Sequence, residues 1–582
     1  MYDEVRRDSL EKGKDANTYI QRFEKKYLGS FTIPFATVFQ NASILDTICK
    51  VDIPKAVFGY YSDTSSIFDV SDTLKNDEKK PDPPSRSQSS LLNTVPKYGN
   101  VGEGDVLEEI PKIVNPFVNT YVSLYITLDP VPNFTKNDEL DYVPGFEDSI
   151  FLINGTKWLK KMKEKSLLKN RNIRLFAENF DGYSVFMPRF LKAEGQRPHN
   201  MIFTVNDENG IEKVSRYVAL IPFIEDNQAF DDLEEMPDCW CTDNEFLTLG
   251  FGDYEEHAVL LCNYFNYVDQ QQKTGCVSYL ALGDAHPEGM TIYVMRISQD
   301  NKQVEFWNAK TGDCFYFDKT IEENKFLCLT VSKTFKYTKA NSNTICQLKS
   351  VGAIITFDNV YVNIQKESDP GLMDFDLKNT TNWTPFLTEE SKRKYFPEGI
   401  KTVQKDIIYA EPSEEERDAL KAAIREYLKT EIEKVRADIK NDNVPLRTNW
   451  ENTANDKIER ILEQYEMKCF NAKKSGIIID SQQTKEQIHE QRKAEKKELL
   501  DNFISYEREI QDQFVGATEV YGFPINVSFV TMEGIWEQVK LTNVHLIASE
   551  NSELSLTVHV NPLPGNVNSV WIFLAILKKA NF

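Results

Sequence analysis

From residue 256 to residue 267 the chain has almost no polar face. Ala258, Val259, Leu260, Leu261, Cys262, Tyr264 and Phe265 make a helix that is apolar nearly all round. Such a helix has to lie inside a domain, wrapped on every side. Gly252 supplies a turn before it, and Asp253, Glu255 and Glu256 put carboxylates at the positive end of its dipole. A strand and then a hairpin follow. A hairpin turn at Asp300-Asn301 sets Thr291 opposite the 308–310 end of the partner strand. Residues 252–308 therefore dictate a turn, a buried helix, a strand and a hairpin, in that order.

The rest of the chain has to supply the wrapping. Its 582 residues suggest about three or four domains, and 41% hydrophobic with 12% aromatic residues suffices for large cores. The formal charge is −22, from 90 acidic and 68 basic residues, which argues against a general nucleic-acid or anionic-lipid binder. Residues 1–14 are polar and charged, unlike a signal peptide. The longest apolar runs, 217–224 and 570–577, are too short to span a bilayer. Nine irregularly placed cysteines fit reduced cytosolic thiols, so the Asn154-Gly-Thr triplet implies no glycosylation.

Along the chain, residues 1–27 read as a polar, helical segment. Residues 28–130 read as a β-region interrupted by a Ser-, Pro-, Asp- and Lys-rich linker at 61–112, with strand character returning at 121–128. Residues 147–410 hold a mixed core. It contains a basic amphipathic helix at 158–168, a strand or buried segment at 216–224, and strands 351–357 and 360–364 joined by an Asp-Asn turn. Residues 411–515 form a helical region whose clearest helix is 414–440. Ser413 can cap it, and Leu420, Ile424, Tyr427, Leu428, Ile432, Val435 and Ile439 make one stripe for packing inside the chain. Residues 516–582 return to strands that are expected to complete the core, with 553–560 and 567–577 flanking the turn NPLPGN. In the last strand Trp571, Phe573 and Ala575 alternate with Ile572, Leu574 and Ile576, so it is expected to be central. The fold class is α+β.

The order in 252–308 resembles the core of a papain- or transglutaminase-type thiol enzyme. There the nucleophile is a Cys at the start of the buried helix, where the dipole and a nearby His lower its pKa. The His begins the next strand and an Asp or Asn ends its hairpin partner. Tyr254, Thr291 and Asn308 hold those places here. A phenol cannot replace a thiolate, and a Thr cannot act as a base near pH 7. No catalytic residue is therefore assigned, and the domain reads as an enzyme fold used for binding.

Tyr254, His257, Trp240, His286, Thr291, Trp307 and Asn308 are the candidates for lining a cleft that holds a partner. Cys262 sits more than two turns into the helix and reads as a structural thiol; a nucleophile relocated to Cys262 or Cys241 is the alternative. Cys239-Trp-Cys241 could join His257 and Cys262 around zinc, but one C-x-C lacks the paired elements of a zinc site, and the segment more plausibly packs Trp240 and Phe246. No phosphate-binding Gly-rich motif is present. No cofactor, metal, nucleic acid or small-molecule substrate is implied.

Several strings identify a family: RYVALIPFIED (216–226), GDYEEHAVLLCNYF (252–265), LALGDAHPEGMTIYV (280–294), EFWNAKTGDCFYF (305–317), DNVYVNIQ (358–365) and VNPLPGNVNSVWIFLA (560–575). They resemble the C-terminal part of the coiled-coil and C2 domain-containing protein 2A family. The resemblance implies a partial C2-like β-region at 28–130, then an inactive papain/transglutaminase-like domain with a helical insertion and C-terminal strands. The family's N-terminal coiled coil has no counterpart here, so the chain is either a short relative or a piece of a longer product. No Asp cluster with Ca²⁺-ligand spacing is visible. The resemblance also implies a ciliary scaffold at the transition zone or basal body, with other ciliary proteins as partners and possible membrane proximity through the C2-like region. An axonemal, microtubule-associated scaffold is the alternative.

Overall fold

The computed structural model describes most of residues 147–579 and, before them, 2–9, 20–27, 29–33, 37–38, 44–52 and 120–128; the longer stretches outside the description are 53–119, 129–146, 227–238, 319–326, 329–345, 478–493 and 495–509. The expected linker at 61–112 and the stripe residue Ile439 lie outside the described residues.

Of the first 27 residues, those described, 2–9 and 20–27, are strands and not helical. Strands β1 (Tyr2–Ser9) and β2 (Ile20–Tyr27) pair antiparallel along their whole length. Eight-residue segments are too short to be stable helices alone, and pairing with a second strand satisfies their backbone groups. Strands β3 (Ile44–Val51) and β4 (Thr120–Thr127) form a second hairpin. These two are the paired strands of the 28–130 region among the described residues.

Helix α1 (Ser149–Lys163) begins well before the expected start at 158, because the Asp148 carboxylate accepts from the Ile150 and Phe151 amides at 2.8 and 3.2 Å. Short strands β5 (Phe176–Asn179) and β6 (Ser184–Phe186) follow. Next comes α2 (Gly210–Val218), where a strand or buried segment was expected. Ile211, Val214, Tyr217 and Val218 recur at helical spacing and are buried, and only the residues after Val218 run on as buried loop. Strand β7 (Cys239–Trp240) pairs parallel with β5. Helix α3 (Asp243–Leu249) is closed by a Thr242–Glu245 capping box and a left-handed Gly250.

The buried helix is α4 (Tyr254–Gln272). After it come β8 (Val277–Ala285), β9 (Gly289–Ile297), β10 (Gln303–Asn308), β11 (Asp313–Asp318), β12 (Leu327–Cys328), β13 (Leu348–Ile355), β14 (Val360–Asn363) and β15 (Trp383–Pro385). They make one antiparallel sheet in the order β12-β11-β10-β9-β8-β13-β14-β15. Phe306 pairs with Met295 and Trp307 with Val294, the register expected from a turn at Asp300-Asn301. Both faces of the sheet are buried. Leu280, Leu282, Ile292, Val294 and Trp307 pack with α4, whereas Ala281, Tyr293, Met295, Val304 and Phe306 form a separate cluster with Phe315, Phe375 and Trp383.

Helix α5 (Glu389–Tyr395) precedes the long helix α6 (Glu414–Asp438), in which Ser413 Oγ accepts from the Glu416 amide at 3.3 Å. A two-residue pair, β16 (Lys440–Asn441) and β17 (Val444–Pro445), leads to β18 (Trp450–Glu451) and α7 (Asn455–Asn471). Then follow β19 (Ala517–Ser528), α8 (Met532–Leu541), β20 (Ser552–Leu563) and β21 (Val567–Lys579). These last strands do not extend the eight-stranded sheet. They build their own, in the order β18-β20-β21-β19. Strand β21 is central. Ile572, Leu574 and Ile576 face Ile424, Leu428 and Ile432 of α6, while Trp571, Phe573 and Ala575 face Ile458, Leu462 and Tyr465 of α7. A strand apolar on both sides needs a helix on each, and this one has them.

The tip of the β20–β21 hairpin reaches back to the first core. Leu563 and Val567 join the α4 cluster, and the Tyr217 hydroxyl donates to the Pro564 carbonyl at 2.8 Å. Glu466 of α7 adds a second tie. Its buried carboxylate accepts from Ser569 Oγ at 2.8 Å and from the Trp571 indole, both on β21, and from Arg216 of α2 at 3.1 Å. Glu466→Ala strands those donors, and breaking a buried charged contact costs about 3–5 kcal/mol. Urea denaturation followed by tryptophan fluorescence should show that loss, with a smaller one for Glu466→Gln, which keeps an acceptor.

Candidate functional site at the start of the buried helix

Asp253 caps α4 by accepting from the Glu255 amide at 3.1 Å, and Glu256 returns a carboxylate to the Asp253 amide at 3.0 Å. The other Glu256 oxygen accepts from the Cys241 amide at 3.1 Å. Burial raises these carboxyls, Glu256 to about 7 and Asp253 and Glu255 well above their ordinary range. The dipole end that would lower a thiol pKa is thus already satisfied by carboxyl groups.

Tyr254 opens the helix, its ring centroid 4.6 Å from that of Phe223. Lys310 Nζ lies 3.6 Å from the Phe223 centroid and 5.3 Å from the Tyr254 centroid, a cation over two rings. Burial pushes the Tyr254 phenol far up, with Glu288 adding to the effect, so it stays protonated.

His257 is fully buried, with Nδ1 2.6 Å from the Asp253 carbonyl and Nε2 3.1 Å from the Ile221 carbonyl. Burial lowers it to about 4. Burial favours the neutral ring, in which one nitrogen donates to its carbonyl; the other nitrogen lies against the second carbonyl, so neither is open to a substrate or to zinc. Trp240 is core, its ring 5.3 Å from Phe190. Trp307 packs edge-on to Phe265 and donates its indole N–H to Glu305 at 3.1 Å.

Thr291 and Asn308 lie on the other side of the sheet. Ile292 and Val294 share the α4 core while Tyr293 and Met295 belong to the second cluster, so strand alternation turns Thr291 away from α4. Thr291 is 1% exposed, and its hydroxyl has no hydrogen-bond partner among the described residues. Asn308 donates to Glu288 at 2.8 Å and to the Tyr293 hydroxyl at 3.1 Å, and it accepts from the Lys310 amide at 3.1 Å. The three triad places therefore do not form one hydrogen-bonded unit: Tyr254 stands on the α4 side, and Thr291 and Asn308 stand on the far side. His286, in the β8–β9 turn, donates its amide to Gln347 at 3.0 Å, and burial lowers its ring to about 4.

Two residues that sequence reasoning passed over connect the two sides. Glu288 is buried against Asn308 with its second oxygen unpartnered among the described residues, and the Lys310 cation lies near both Glu288 and the Tyr254 ring. Each is a lone charge in a turn, and only the fold brings them together. Among the described residues no three His, Cys, Asp or Glu side chains are grouped to hold a metal. Cys262 and Cys314 are held well above the usual thiol range by burial, and Cys276 is raised to about 11. Cys239 differs: half-buried, it is lowered by a hydrogen bond with Cys241.

The family model of the CEP76 peptidase-like domain matches residues 238–386, from the residue before β7 to the residue after β15. A peptidase-like domain is thus the class to which the helix and sheet belong. The chain is 24% identical over 580 residues to Protein CC2D2B of Homo sapiens, covering 99% of this chain and 32% of that protein. It is 21% identical over 368 residues to Coiled-coil and C2 domain-containing protein 2A of Drosophila melanogaster, covering 63% of this chain and 22% of that protein. These matches support the family resemblance read from the sequence. It spans about a third or less of the length of either relative.

Glu256 supplies a pH test. Its folded carboxyl holds a proton up to about pH 7. The unfolded carboxyl loses its proton near about 4.3, so this group withdraws stability as pH rises between those values. The melting temperature of Glu256→Gln relative to the parent should therefore shift in the variant's favour between about pH 5 and about pH 8. A difference independent of pH refutes the assignment.

Proposed function

We propose that this chain is a non-catalytic scaffold, with a peptidase-like domain that serves as a protein-binding platform in cilium assembly and transition-zone organisation. The observation that carries the non-catalytic part is the start of α4. A protonated phenol and capping carboxyls stand where a thiolate is needed, and His257 is locked between two carbonyls. Its relatives carry no enzyme name, and the ciliary part rests on the family resemblance. The partners proposed are other ciliary proteins, held on the outer surface of the domain and at the sheet end near Tyr254, Lys310 and Glu288.

The axonemal reading is separated from this one by tagging the chain in ciliated cells and imaging it against basal-body and axonemal markers. A ring at the ciliary base supports the transition-zone role. Signal along the shaft replaces it with the axonemal one. Cys239, the one thiol lowered among the described residues, is the observation that keeps a cysteine-enzyme reading testable. A maleimide probe on the folded chain should modify Cys239 at an ordinary thiol rate and leave Cys262 unlabelled. Hyper-reactive labelling at either site, together with peptide hydrolysis lost on its substitution by Ala, would make the chain an enzyme.

A further inference from the structure

Helix α1 turns one face into the core and another to water. Phe151, Leu152 and Met162 are buried. The Phe151 ring stands edge-on to Phe176, Phe186 and Phe396, with centroids 5.6, 5.3 and 5.1 Å away. The Asn154 amide donates to the Tyr395 hydroxyl of α5 at 2.8 Å. The helix is thus fixed in place, and so is whatever its other face presents.

That face carries a pattern. Ile150, Ile153, Lys157 and Lys160 recur at steps of three, four and three, the spacing of one stripe along a helix. All four are exposed, Ile150 by 59% and Ile153 by 44%. Lys161, also exposed, flanks the stripe. From Ile150 to Lys160 the stripe runs about 15 Å. It is apolar in its first half and cationic in its second. Around the second half, residues 157–169 hold six lysines against one glutamate, in a chain whose net charge is −22. Lysines in the last turn of a helix complement its dipole, which explains Lys160, Lys161 and Lys163. The dipole explains neither Lys157 nor two isoleucines held one turn apart in water.

We propose that this stripe is a docking site for one helix of a partner protein, apolar at one end and acidic at the other. Charge and spacing set that class. Heptad-spaced positions on a fixed helix suit a second helix laid along it, and the lysines call for carboxylates opposite them. A helix lying in a membrane interface keeps its lysines on the face away from its apolar residues, whereas here the two share one stripe. A chain of net charge −22 is also repelled by an extended anionic surface, while a single acidic helix meets only the lysines. The inference rests on the scaffold reading and names a partner class for it.

Fluorescence anisotropy of a labelled peptide added to the full chain tests the docking site. The probe is a designed helix about three heptads long, with glutamates on one stripe in its first half and leucines in its second, an order that its own dipole favours. It should bind the parent. Lys157→Glu, Lys160→Glu and Lys161→Glu together should weaken binding roughly tenfold, and Ile153→Asp should weaken it as well. A probe with lysines in place of its glutamates should bind that triple variant better than it binds the parent, which also shows the variant to be folded. No binding of the acidic probe to the parent, equal binding by parent and triple variant, or failure of the charge exchange overturns the proposal. So does binding of the parent to vesicles of phosphatidylcholine and phosphatidylserine that the triple variant loses, because the stripe would then read lipid. Each of these results leaves the scaffold reading standing, and that reading falls instead if the chain hydrolyses peptides.

Discussion

The peptidase-like region of the chain is organised around one guanidinium with no access to water. Arg296 of β9 holds Asp269, in the last turn of α4, through two hydrogen bonds of 2.7 and 2.8 Å, and Glu305 of β10 at 3.1 Å. All three side chains are at most 1% exposed. Burial alone would raise the Glu305 carboxyl, and Arg296 beside it brings it below its ordinary range. Taking three charges out of water costs several kcal/mol each unless every polar atom is matched. The remaining Glu305 oxygen finds its partners outside the sheet, in the Ser475 hydroxyl at 2.6 Å and the Ile477 amide at 3.1 Å. Completing the triad therefore fixes where the chain must return after α7. Gly476 fits there because any β-carbon would lie 2.3 Å from the Tyr316 ring.

The same demand for matched polar groups is met at the start of α4 and at the end of β10. A thiol enzyme keeps its helix N-terminus open to one anion and its base free on one nitrogen. In this chain the helix end is closed by Asp253 and Glu256, and Asn308 is spent on Glu288, Tyr293 and the Lys310 turn. Such saturation favours a rigid fold over a reactive one.

Features set by local pattern were legible in the sequence. The apolar run in α4, the register of the β9–β10 hairpin and the two-sided apolar strand β21 follow from periodicity and turn chemistry, and each is found where the residues put it. What was hidden depends on contacts far apart in the chain. Counting positions set Thr291 opposite the end of β10, but only packing shows which face of the sheet it joins. Residues 1–27 have mixed composition, and strand pairing decides their state. The C-terminal strands look apolar enough to enlarge any core, and their own sheet exists because α6 and α7 cover its two faces. Arg296, Asp269 and Glu305 are three ordinary charges in the sequence, and nothing local says that they meet.

The hairpin tip at Leu563 and Val567 sets a clock on assembly. These two side chains belong to the cluster around α4, and the Gly565 amide donates to the Ala410 carbonyl at 2.8 Å. A ribosome makes the helix and all eight strands of the first sheet long before it makes that tip. Until then the nascent core has a gap on the side where Tyr217 waits for the Pro564 carbonyl. Contacts of such sequence separation form late and slowly, and unfinished apolar surface is what chaperones bind. The part of the chain that looks most independent is therefore the one whose completion is most delayed.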